Sequence, residues 1–247
     1  MPSLKTLLIC LTATIYPFSA QAQSNAPQHC ASDPVSAVYQ VKMSENGKKS
    51  DKYQVELWRN AQQVAIRYPA NAITELWELT VNNKLHLVRY FDAHGRGIEY
   101  QPNEIKGNQD WSLKRQLISD TLISQMALRK TRGKDCQTVE YYTKKSDDSK
   151  LDLQWFPKQQ LIKHFKVKTS ASETEWTLLE TSKDAQQIAQ EFQTLALYDT
   201  TDYTDIGDNE SDPFLLNMIN LGFVEHGGSG FYDADGHDIG DGHAHHH

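Results

Sequence analysis

The chain has 247 residues, a formal net charge of −7 and 38% hydrophobic residues. That is enough for one large β domain or two small ones. A net negative chain has no general attraction to polyphosphate, which sets nucleic-acid binding aside, and only three cysteines exclude a disulfide-dense scaffold.

Residues 1–22, MPSLKTLLICLTATIYPFSAQA, combine Lys5, an apolar run from Leu7 to Tyr16, Pro17 and a closing Ala20-Gln21-Ala22. This is the pattern of a secretory signal peptide cleaved after Ala22. The run is too short to span a bilayer, and no later segment is apolar enough to do so. The expected location is periplasmic or secreted. Cys10 leaves with the signal, so Cys30 and Cys136 remain and are expected to form one disulfide. Closing a loop of that length stabilises a fold by about 4–5 kcal/mol on the chain-entropy estimate.

From Val35 to Tyr100 the chain alternates apolar and polar residues, as half-buried strands do. Tyr53, Val55 and Leu57 alternate with Gln54, Glu56 and Trp58. Glu45-Asn46-Gly47, Asn60-Ala61, Asn82-Asn83 and His94-Gly95-Arg96-Gly97 mark turns. The expectation is an antiparallel meander. WSLKRQLISDTLISQMALRKTRG then places Leu113, Leu117, Ile118, Leu122 and Met126 at helical spacing. A single helix is expected here, capped by Asp110, with Arg129, Lys130 and Arg132 at its negative end and Gly133 as its stop. Strands resume from Cys136 to Ser182. Asp184 caps a helix over about 185–195.

Beyond Lys183 there is no Lys or Arg. Residues 184–247 hold 13 acids, whereas residues 23–183 hold 19 acids and 24 bases. The body is therefore formally near +5 and the last quarter near −13. Such a split suggests an acidic segment that folds back on the body or stays solvated. Residues 199–212 are expected to be an acidic loop, followed by an apolar helix over 213–222 that packs on the sheet. One β-rich domain then covers 23–226, and 227–247 is a low-complexity tail rich in His, Asp and Gly, expected to be disordered.

The fold class is mainly β, α+β: a curved antiparallel sheet or half-barrel with two or three packed helices. The stretch LDLQWFPKQQLIKHFKV, residues 151–167, has a strand–turn–strand with Pro157 near the turn. It resembles the corresponding part of the periplasmic lipoprotein carriers, the LolA-like superfamily. The resemblance covers residues 35–182 and implies a periplasmic carrier with a cavity for a lipid or another hydrophobic ligand. Those carriers begin with a helix, whereas strands come first here, so no functional residue is carried over.

The strongest chemical signal is the tail. His226, Asp233, Asp235, His237, Asp241, His243, His245, His246 and His247 offer imidazole and carboxylate ligands that suit Zn or Cu, and less well Ni. The leading expectation is an exported, non-enzymatic protein that binds a transition metal there. The spaced acids Asp199, Asp202, Asp205, Asp208, Glu210 and Asp212 raise Ca as a lesser alternative, without matching an EF-hand loop. A hydrophobic-ligand carrier or chaperone is the second reading. A hydrolase assembled from dispersed residues is the third, since no catalytic motif is present and His86, His94 and His164 are more readily explained as ordinary strand residues.

Overall fold

The computed structural model describes residues 30, 32–45, 50–207 and 211–220. The alternation folds into one 12-stranded sheet, curved and not closed. In chain order its strands are β1 (Val35–Glu45), β2 (Asp51–Arg59), β3 (Gln63–Tyr68), β4 (Ile73–Leu79), β5 (Leu85–Phe91), β6 (Arg96–Tyr100), β7 (Ala127–Arg132), β8 (Val139–Lys145), β9 (Ser149–Phe156), β10 (Leu161–Thr169), β11 (Ser172–Ser182) and β12 (Asp199–Asp202). The spatial order is β12-β6-β5-β4-β3-β2-β1-β11-β10-β9-β8-β7. Two meanders, β1–β6 and β7–β11, are thus joined through the antiparallel pair β1–β11. Short hairpins explain both meanders; Asn83, for example, takes φ 56° in the β4–β5 turn, a left-handed value that Asn tolerates.

The inner face carries the main core. On β2, Val55, Leu57 and Arg59 are buried, and on β4 Ile73, Glu75 and Trp77 are buried. Helices α1 (Trp111–Gln116) and α2 (Asp120–Ser124) link β6 to β7, from one side of the sheet to the other. They bring Leu117, Ile118 and Met126 into that core. Helix α3 (Ala185–Leu195) lies on the outer face. Its Ile188, Phe192 and Leu195 meet Ala65, Leu76, Val88 and Tyr90. The Asp184 carboxylate caps it by accepting from Gln186 N and Gln187 N, both at 3.0 Å. Helix α4 (Pro213–Asn220) places Leu215 and Met218 in the inner core, as expected for an apolar helix near 213–222. Phe214 packs edge-on to Phe91, with centroids 5.4 Å apart.

Two expectations are corrected. The single helix from Trp111 onward does not form. Leu117 turns left-handed at φ 62° and ends α1, and Ser119 starts α2 by accepting from Leu122 N at 3.0 Å. Ser119-Asp120 is an internal helix start that competes with a continuous apolar stripe. Ala127–Arg132 then pairs with β8 as a strand, so the cations assigned to a helix end lie on a sheet edge. Gly133 ends that strand at φ +82°; a Cβ there would meet Gln137 O at 2.2 Å. The acidic loop is also partly ordered structure: Asp199–Asp202 is β12, parallel to β6, and Tyr203–Asp205 is a 3-10 turn.

Candidate functional site

The inner face is differently finished in its two halves. Under α1, α2 and α4 it is sealed. Val64, Trp77, Leu87, Ile98 and Tyr100 have no exposed surface. Across β2, β1, β11, β10, β9 and β8, one continuous register row reads Tyr53, Val41, Trp176, Phe165, Leu153 and Tyr142. Val41, Trp176 and Leu153 are buried, but Tyr53, Phe165 and Tyr142 are only partly so. The neighbouring row, Met43, Thr174, Val167 and Leu151, is half-buried along its whole length. This is an apolar wall that opens toward the ends of the β1–β2 and β10–β11 hairpins. At its β8 margin stands Lys144, whose Nζ donates to Gln125 Oε1 at 2.7 Å beyond α2.

The sealed half has charge inside it. The Glu75 carboxylate accepts from Arg89 at 3.0 Å and from Trp77 Nε1 at 3.2 Å. Lys114 Nζ lies 4.2 Å from the Trp77 ring centroid. A buried ion pair needs this degree of satisfaction to persist. These residues lock α1 to the sheet. Glu75, Arg89 and Lys114 were not singled out from sequence, although Glu75 and Arg89 fall on the inward positions of their strands.

At the end of β2 a second buried cation ties four segments together. Arg59 donates to Asp33 Oδ1 at 2.9 Å, Arg115 O at 2.8 Å, Gln160 O at 2.9 Å and Ser32 O at 3.1 Å, and also to Gln159 O. Burial lowers its pKa to about 10. Beside it Gln159 donates to Cys136 O. Cys30 and Cys136 are joined as expected, with Cα atoms 5.1 Å apart across 106 residues. Such a bond belongs to an oxidising compartment.

The candidate ligands fall as follows. His226, Asp233, Asp235, His237, Asp241, His243, His245, His246 and His247 lie outside the described residues, as do the signal segment and residues 208–210. Among the described residues no three His, Cys, Asp or Glu side chains are grouped to hold a metal ion. In the acidic segment Asp202 accepts from Thr204 N at 2.9 Å and Gln101 Nε2 at 3.3 Å. Asp212 pairs with Arg96 at 3.0 Å, which holds its carboxyl below the usual range. The dispersed histidines each have a partner: His86 meets Glu99 at 2.9 Å and Glu78 at 3.7 Å, His164 meets Glu175 at 2.8 Å, and His94 packs on Phe214. Among the described residues no helix is long and apolar enough to cross a membrane.

No family model matches the sequence, and no curated protein matches it. Solved structures align with part of it. PNGF-II aligns with 68% of this chain at 9% identity and a TM-score of 0.34; the chain spans only 31% of that protein. A LolA superfamily protein from Nitrosomonas europaea aligns with 62% of this chain and 90% of its own, at 7% identity and a TM-score of 0.29. The MucA/MucB complex of Pseudomonas aeruginosa aligns with 65% of this chain and 57% of that one, at 9% identity and a TM-score of 0.31. A LolA superfamily protein is therefore among the aligned structures, at a similarity that carries no argument about fold or function.

Proposed function

We propose that the protein is an exported, non-enzymatic carrier or chaperone, working in the periplasm, that holds an apolar ligand against the inner wall of β8–β11, β1 and β2. One observation carries this reading: Tyr53, Met43, Val167, Phe165, Leu151 and Tyr142, spread over β2, β1, β10, β9 and β8, stay partly exposed on the inner face, while the same face of β3–β6 is sealed. Contiguous apolar surface of this kind suits an acyl chain or an apolar peptide segment. Tyr53, Phe165 and Leu151 would form the contact. The test is titration with a fluorescent long-chain fatty acid, with Phe165→Ser plus Leu151→Ser as the wall variant. Binding in the micromolar range that weakens at least about tenfold in the variant, with circular dichroism unchanged, is the expected result. Absence of binding by the parent chain sinks the proposal.

A second reading rests on composition. Residues 230–247 hold five His and four Asp without a Lys or Arg, and such a segment captures Zn or Cu when its imidazoles are neutral. Calorimetry with Zn²⁺, Cu²⁺ and Ca²⁺ beside a chain ending at Gly230 tests it. Zn²⁺ or Cu²⁺ binding lost on truncation supports it; identical heats in the two chains refute it.

A further inference from the structure

Among the described residues both edges of the sheet end in a strand with one neighbour, and the two edges differ in charge. At the first, β12 pairs with β6, and α4 is fastened nearby through Arg96–Asp212. At the second, among the described residues, β7 pairs with β8 alone, and all six of its residues are exposed. An open edge strand presents unpaired backbone N–H and C=O groups to any extended segment.

The β7 edge is strongly basic. Residues 121–134 contain Arg129, Lys130, Arg132 and Lys134 and no acid. Among the described residues none of these four enters an ion pair. Two acids on the adjoining strands are otherwise engaged: Glu140 accepts from the Tyr142 hydroxyl at 2.7 Å, and Asp152 meets Lys150 at 2.6 Å. Lys130 instead lies over the Tyr141 ring, 4.5 Å from its centroid. A second copy of β7 would bring like charges face to face, which disfavours edge-to-edge pairing.

The chain itself supplies the opposite charge. Elsewhere the acidic quarter already pairs with single cations of the sheet, Glu191 with Arg67 and Asp212 with Arg96. Those contacts use β3 and β6 and leave β7 unmatched. Residues 221–247 follow α4 and carry Glu225, Asp233, Asp235, Asp238 and Asp241 with no Lys or Arg. At about 3.3 Å per residue this length reaches about 90 Å. Eleven inter-strand steps of about 4.8 Å put the two edges at most about 53 Å apart.

We propose that residues 221–247 dock in cis along edge strand β7, held by Arg129, Lys130, Arg132 and Lys134. The segment covers that edge and balances its charge. Tethering gives it an effective concentration that a free acidic peptide lacks. This proposal stands apart from the ligand wall and from metal capture, since neither is needed for it.

The experiment is amide hydrogen exchange across residues 127–132 in the full chain, at low salt and in 1 M NaCl, over a range of protein concentrations. The comparison chain is a full-length variant with E225Q, D233N, D235N, D238N and D241N. Exchange about twofold or more slower in the parent at low salt is expected, with the difference gone in the variant and in high salt, where the screening length is about 3 Å. A second variant, R129Q/K130Q/R132Q, keeps the tail and should exchange as fast as the tail variant. Equal rates in the parent and tail variant overturn the proposal. So does protection that rises with protein concentration, which would identify a second copy as the occupant.

Discussion

On β2 and β3, Leu57 and Val64 are shut away completely, and three helices close over the face they belong to. On β9 and β10, Leu151 and Phe165 occupy equivalent inward positions, yet both keep part of their surface in water. The same alternation built both regions. What differs is the cover: α1 reaches Trp77 of β4 through Lys114, and α4 packs on Phe91 of β5 through Phe214. Alternation decides which face a residue belongs to, whereas the connecting segments decide whether that face becomes core or surface.

The joint between the two halves should be the most sensitive point. Arg59→Ala removes the shared donor for the Ser32, Arg115, Gln159 and Gln160 carbonyls and leaves the half-buried Asp33 with Arg115 as its one ion-pair partner among the described residues. Loss of a buried, fully paired cation costs about 3–5 kcal/mol. Urea unfolding measures this directly. Arg59→Lys should recover only part of the loss, because an ammonium cannot reproduce the planar fork. A midpoint unchanged in Arg59→Ala would mean that the halves are not fastened there.

A matched pair of truncations addresses the comparison itself. Leu57→Ala opens a cavity in the sealed half and should cost about 3 kcal/mol. Leu151→Ala removes atoms already partly in water and should cost about 1 kcal/mol. Equal losses would show that the second half is as tightly covered as the first and would remove the basis for a ligand wall.

Much of this was legible in the sequence, and the failures are instructive. Tyr53, Val55 and Leu57 announced β2 by strict alternation, and Asp184 marked the start of α3. The same alternation also carried a signal that passed unused: Arg59 continues the inward series, and Glu75 and Arg89 sit among inward apolar residues on β4 and β5. A charge on an inward position signals a buried pair. Strand β7 was hidden because Leu113 to Met126 keep helical spacing through the Ser119 break, so the cations beyond it looked like a helix end. Strand β12 was hidden because Asp199–Asp202 has no apolar pattern of its own; its place comes from pairing with β6, about a hundred residues earlier. The inner wall could not be seen at all, since half-burial depends on which helices lie overhead.

The smallest expected effect lies on the outer face, where a chain of polar side chains crosses the first half. Asn60 donates to Gln63, Gln63 to Glu78, His86 lies between Glu78 and Glu99, and Gln101 bridges Glu99 to Asp202 on β12. The Glu78 carboxylate, 3.7 Å from the ring, and the Glu99 carboxylate, at 2.9 Å, raise the His86 pKa above its ordinary 6.5, and the imidazole lowers Glu78 below its ordinary 4.5. A raised histidine contributes stability that is complete below pH 6.5 and fades as pH climbs through its folded value. A lowered glutamate contributes stability that is complete above pH 4.5 and fades as pH falls through its own. The pair is therefore most stabilising between pH 4.5 and 6.5. Because Glu78 is more than a third exposed, solvent screening limits the effect to less than about 1 kcal/mol. Melting curves of the parent and His86→Gln from pH 4 to 9 should differ most inside that window and converge at the alkaline end. A gap that widens with rising pH would assign the ordering of this face, and of β12 at its edge, to something other than the protonated imidazole.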